Sequence, residues 1–121
     1  MQLFIGIMSG TSLDGIDVVL CKFEANTYEV IATHFSPYPT ELKGSLLALH
    51  TAQTNELETA LIFGNKLAYL YADAVKSMLV STKVSAHQIV AIGCHGQTIR
   101  HRPDLGFTLQ IGNNALLSEL T

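Results

Sequence analysis

Tryptophan is absent from this 121-residue chain, cysteine occurs twice, proline three times, and only 14% of the residues are charged. Each shortage excludes something. Cys21 and Cys94 sit in separate apolar runs with no CxxC spacing, so two reduced, buried thiols are expected, not a disulfide or a metal site. The net charge is only −3 and the five histidines are scattered, which leaves no electrostatic footprint for nucleic acid. No apolar run reaches the about 18 residues of a membrane span. The opening, MQLFIGIMSG, lacks the basic head and long apolar stretch of a secretory leader. A cytoplasmic setting is the expectation.

What is present is apolar. Hydrophobic residues make up 48% of the chain, enough for a core, and the length fits one small domain or part of a larger one. Residues 2–8 (QLFIGIM) and 16–23 (IDVVLCKF) read as strands joined by a tight loop carrying Gly10 and Gly15, hence an antiparallel hairpin. Residues 28–36 (YEVIATHFS) read as a third strand. Pro37 and Pro39 then break the pattern, and Thr40 is placed to cap a short helix, ELKGSLLALH. From Asn55 to about Val80, apolar or small residues recur at helical spacing. Asn55 is its expected cap with Glu58 three residues on, and Gly64 marks close packing. Residues 89–94 (IVAIGC) read as a central strand covered on both faces, followed by a polar loop, HGQTIRHRPDLG. Residues 107–111 (FTLQI) form the last strand. GNNALLSELT reads as a turn and the first turns of a helix, whose last carbonyls and apolar face would lack partners, so an N-terminal piece of a longer protein is the expectation. The order implies an α/β fold: a mixed sheet, an antiparallel β-β-β unit followed by helix-linked strands, with packed helices.

Two loops carry candidate chemistry. In the first, Ser9, Gly10, Thr11 and Ser12 offer backbone N–H groups that a phosphate can approach closely, with hydroxyls that donate without adding charge. Asp14 and Asp17 make sense beside Mg²⁺, a metal-bound water or a substrate hydroxyl. An ordinary Gly-Asp hairpin turn explains the same residues equally well. The loop is not a Walker pattern, since no lysine follows the second glycine, and it is not a nucleophile elbow. In the second, GCHGQTIRHRP leaves the end of a strand, where open α/β sheets gather ligands. His95, Gln97 and Thr98 are directional hydrogen-bonding groups suited to sugar hydroxyls or an amide. Arg100 and Arg102 are able to neutralise a carboxylate or phosphate, although a solvated surface position is the better reading for Arg102. No carboxylate or cysteine completes a zinc site around His95 and His101.

Taken together, MSGTSLDGID, GCHGQT and TLQIGNNALL closely resemble the 1,6-anhydro-N-acetylmuramic acid kinases, in the same order and over essentially the whole chain. That family belongs to the sugar kinase/Hsp70/actin superfamily. The resemblance implies that residues 1–121 are the N-terminal part of a ribonuclease H-like, actin-like ATPase kinase domain, incomplete as it stands. It implies ATP and Mg²⁺ as cofactors, with Gly10, Thr11, Ser12, Leu13, Asp14, Gly15, Ile16 and Asp17 forming the phosphate-binding hairpin. It implies a sugar pocket lined by Ser12, Asp14, His95, Gly96, Gln97 and Thr98. The family phosphorylates O6 of the anhydro amino sugar while water opens the 1,6-anhydro bridge, giving N-acetylmuramic acid 6-phosphate in bacterial cell-wall recycling. The catalytic base is implied to lie beyond residue 121, so the 121-residue piece alone is expected to be inactive. Kinases of this kind often pair, so a homodimer is compatible with the resemblance. The wider superfamily often begins this hairpin with an aspartate, and here Met8 holds the matching place, so metal binding leans on other groups. Two alternatives stand beside this reading: another sugar or acyl kinase of the superfamily, and a nucleotide-binding module without catalysis.

Overall fold

The apolar segment QLFIGIMS alternates in burial: Leu3, Ile5, Ile7 and Ser9 are buried and the residues between them are not. It forms β1 (Gln2–Ser9) in a computed structural model that describes residues 1–121. β1 pairs antiparallel with β2 (Gly15–Glu24), placing Ile5 opposite Leu20 and Ile7 opposite Val18, so the apolar side chains share one face. β2 pairs antiparallel with β3 (Thr27–Pro37). Two helices follow, α1 (Thr40–Ala48) and α2 (Glu56–Thr82). They form the crossover that a parallel return demands, because β4 (Ile89–Arg102) lies parallel to β1. β5 (Phe107–Ile111) pairs antiparallel with β4, and α3 (Asn114–Leu120) ends the chain. The result is one mixed five-stranded sheet in the order β3-β2-β1-β4-β5.

A single core of 22 buried apolar residues joins the inner sheet face to the helices. Leu42, Leu46 and Leu49 enter it from α1 and its end, Leu67, Tyr71, Val75 and Met78 from α2, and Leu117 from α3. Each such side chain contributes about 1.5–3 kcal/mol when fully buried. The small residues Ala60, Gly64, Ala68 and Ala72 let α2 lie close to its neighbours. A Cβ on Gly64 would stand 3.4 Å from the backbone of Gly112, which is the close packing its sequence position signals.

Four local expectations are corrected. Asn55 is in the left-handed region (φ 56°) and its side chain makes no cap bond; Glu56 instead accepts the N–H of Gln53. Thr40 is the first helical residue of α1, and Pro39 takes the cap position without a side-chain bond. The polar stretch after Cys94 is not a loop: β4 runs on to Arg102 and pairs with β5. Nor is β4 covered on both faces, since Gly93 and His95 are exposed and border an open cleft with Gly6, Met8 and Asp17.

Candidate active site

The first loop is a short turn with a buried anchor. Leu13 is in the left-handed region (φ 58°) and wholly buried, and its N–H donates to the Gly10 carbonyl at 3.1 Å. The conformational cost of that φ, about 1–2 kcal/mol, is comparable to what burying a leucine returns. Thr11, Ser12 and Asp14 are left exposed around the turn. Gly10 faces open space: a Cβ there would meet only the Ser12 hydroxyl, at 3.7 Å. Gly15 is the opposite case, with the Ser36 carbonyl 2.4 Å from where its Cβ would be. Gly15, Ile16 and Asp17 belong to β2, and Leu13 and Ile16 turn into the core. A ligand can therefore meet Leu13, Gly15 and Ile16 only through their backbone.

The second segment meets the first across a bulge. Ile7 pairs with Cys94 and Ser9 with Gln97, so β4 carries one extra residue there. Gly96 sits in the bulge at φ +79°, with the Ile111 carbonyl 2.3 Å from a notional Cβ, so only glycine fits. Two reciprocal bonds replace the interrupted ladder. The Ser9 hydroxyl donates to the Gly96 carbonyl at 3.1 Å, and the Gln97 amide donates to the Gly10 carbonyl at 3.1 Å. The Gln97 carbonyl oxygen accepts the Tyr38 hydroxyl at 3.2 Å, and the Tyr71 hydroxyl lies 2.9 Å from Ser9 Oγ. Burial pushes the Tyr38 and Tyr71 hydroxyls and the Cys94 thiol above their usual ranges.

Gln97, expected in the wall of a sugar pocket, is fully buried, and its amide reaches the Gly10 carbonyl behind the first loop. His95 is exposed on the open sheet face and lines a cleft of about 610 Å³ together with Asp17, Met8 and Thr33. Asp17 and His95 are thus brought together, while Thr98 lies on the β5 side, where it accepts a bond from Gln110. Asp14 stands 3.5 Å from Lys43, both exposed, a pairing worth at most about 1 kcal/mol. Arg100 is not available to a ligand anion. It donates to the Leu49 carbonyl and, at 2.7 Å, to Glu56, whose carboxyl it holds below the usual range. Arg102 pairs with Asp104 at the surface, as its sequence position implies. Tyr38 and Tyr71 were missed, and Ser9, expected to face a phosphate, is instead buried and bonded to Tyr71 and Gly96. The signal was a tyrosine on the apolar stripe of α2, whose hydroxyl needs a partner once buried.

The exposed Thr11 and Ser12 and the open approach at Gly10 fit a phosphate chain. No three acidic, histidine or cysteine side chains converge, so Mg²⁺ would rest on Asp14 or Asp17 plus the phosphate oxygens, as this ion commonly does.

Comparison with known proteins places these features in a family. A sequence profile for anhydro-N-acetylmuramic acid kinase matches residues 2–121. Anhydro-N-acetylmuramic acid kinase of Thiobacillus denitrificans is 50% identical over 118 residues, covering 97% of this chain and 31% of the relative. The Bordetella pertussis enzyme is 50% identical over 119 residues (98% and 32%), and that of Nitrosomonas europaea 47% identical over 120 residues (98% and 33%). The chain spans about a third of the length of these curated relatives. With the profile running through both site segments and the sheet that joins them, the chain belongs to the anhydro-N-acetylmuramic acid kinase family.

Proposed function

We propose that this chain is the N-terminal portion of an ATP-dependent kinase that phosphorylates O6 of 1,6-anhydro-N-acetylmuramic acid and opens the anhydro ring with water. The single observation that carries this reading is the clamp between the Gly10 turn and the Gly96–Gln97 bulge, which holds the two family motifs side by side. In this reading, the backbone of residues 10–17 and the hydroxyls of Thr11 and Ser12 hold the phosphates. His95, Gly96 and Thr98, with Ser12 and Asp14, address the sugar. Asp14 and Asp17 hold Mg²⁺ or its waters, and the ion neutralises charge on the phosphates. Water attack at the anomeric carbon needs a carboxylate base. We assign that role to neither aspartate and place it in sequence beyond residue 121. The proposed setting is the cytoplasm, in cell-wall recycling, with a small amino sugar as partner and self-association as a homodimer.

The test is direct. The full-length protein is incubated with ATP, Mg²⁺ and 1,6-anhydro-N-acetylmuramic acid, and ADP and product mass are followed. The expected product is heavier than the substrate by one phosphoryl group and one water. ADP release without that product overturns the substrate assignment, and no reaction overturns the kinase reading.

A further inference from the structure

We infer that Gln97 is a positioning residue: from behind the first loop it fixes the Gly10–Thr11 peptide so that the Thr11 N–H faces the phosphate side. This rests on the kinase reading above. The argument is geometric. The Gly10 carbonyl accepts from both Gln97 Nε2 and Leu13 N–H, each at 3.1 Å. Gln97 and Leu13 are both wholly buried, so this carbonyl points into the protein. No peptide bond in the chain is cis. In a planar trans peptide the C=O and the following N–H point in opposite directions. The Thr11 N–H therefore points outward, over exposed residues. It takes no part in the backbone bonds of this turn, which run from Leu13 to Gly10 and from Tyr38 to Asp14. Without Gln97, one short turn bond alone would resist a peptide flip. The amide is held in its turn by the Tyr38 hydroxyl and by the Thr98 carbonyl.

The test uses the full-length enzyme. In Gln97→Met, a buried apolar side chain of similar length replaces the donor. KM for ATP is expected to rise on the order of tenfold, with KM for the sugar unchanged. A rise in sugar KM with ATP KM unchanged overturns the inference, because Gln97 would then contact the sugar. A fall in melting temperature with both KM values unchanged overturns it too. Gln97→Glu serves if the methionine variant fails to fold. Its neutral acid can donate to the Gly10 carbonyl and its carboxylate cannot, and burial raises its pKa. ATP KM of this variant should recover toward wild type as pH falls from about 8.5 to about 6, measured against the wild-type profile. A flat difference across that range refutes the role. Calorimetry with ADP and Mg²⁺ separates the two failures. A wild type that neither binds ADP nor turns over refutes the kinase reading. A wild type that binds ADP no better than Gln97→Met refutes the positioning role alone.

Discussion

The hydroxyl of Ser9 lies 2.9 Å from the hydroxyl of Tyr71, tying the last residue of β1 to the middle of α2. Both groups are buried, and Ser9 also donates to Gly96. Tyr71→Phe removes one bond without opening a cavity. It should destabilise the protein by about 1 kcal/mol, read as a drop in the denaturant midpoint. The pH dependence has a definite sign. The folded protein holds the Tyr71 proton more tightly than the unfolded chain, whose ordinary value is 10.0. The associated stability is complete below about pH 10 and is lost as pH rises beyond it. Tyr71→Phe should flatten this alkaline limb.

Two glycine-to-alanine changes should have opposite signs. At Gly96 the positive φ and the Ile111 carbonyl both oppose a Cβ, and the loss should reach about 3 kcal/mol or more. At Gly44, in α1, no atom lies within 4 Å of the added methyl. There alanine should stabilise by about 0.5–1 kcal/mol. Thermal melts of the two variants decide this, and equal effects would contradict the geometry.

Gly10→Val separates binding from folding. The position is open, with only Ser12 Oγ near a Cβ, so the melting temperature should change little. A branched side chain should nevertheless block close approach of a phosphate to the backbone. ATP affinity should fall by about tenfold or more, roughly 1.4 kcal/mol. Unchanged affinity by calorimetry would remove the phosphate-loop assignment.

Acid should loosen the junction between α1, α2 and β4. Arg100 holds the Glu56 carboxyl below its ordinary value of 4.5, chiefly through their hydrogen bond. That stabilisation is present above about pH 4.5 and is lost as pH falls through the lower folded value. Glu56→Gln should lower stability at neutral pH and shrink the acid limb of a pH–stability curve. An unchanged limb would count against the pair.

The architecture was readable wherever periodicity was clean. The apolar run QLFIGIM and the helical spacing from Leu57 to Leu79 each matched the element that formed. The run from His95 to Arg102 was not readable as strand. Its inward positions hold Gln97 beside Ile99, and a buried glutamine writes the same polar letter as a solvated one. Only tertiary partners, Gly10 and Tyr38, make it a core residue. The cap at Asn55 failed for a related reason: the chain enters α2 through a left-handed residue, and the Arg100–Glu56 pair organises that end instead. The candidate site was readable as two motifs, but which side chains face a ligand was not. Burial separates Asp17 and His95 from Leu13, Ile16 and Gln97, and composition carries no trace of that.

The parallel joint between β1 and β4 also sets an order of events. β1, β2 and β3 are consecutive in the chain and can zip as soon as they exist. The clamp joins residues 87 positions apart, Ser9 to Gly96 and Gly10 to Gln97. The entropy of closing so long a loop must be met before either bond rewards it. The turn that would hold phosphate therefore cannot take its final shape until the sequence as far as Gln97 has folded back onto it.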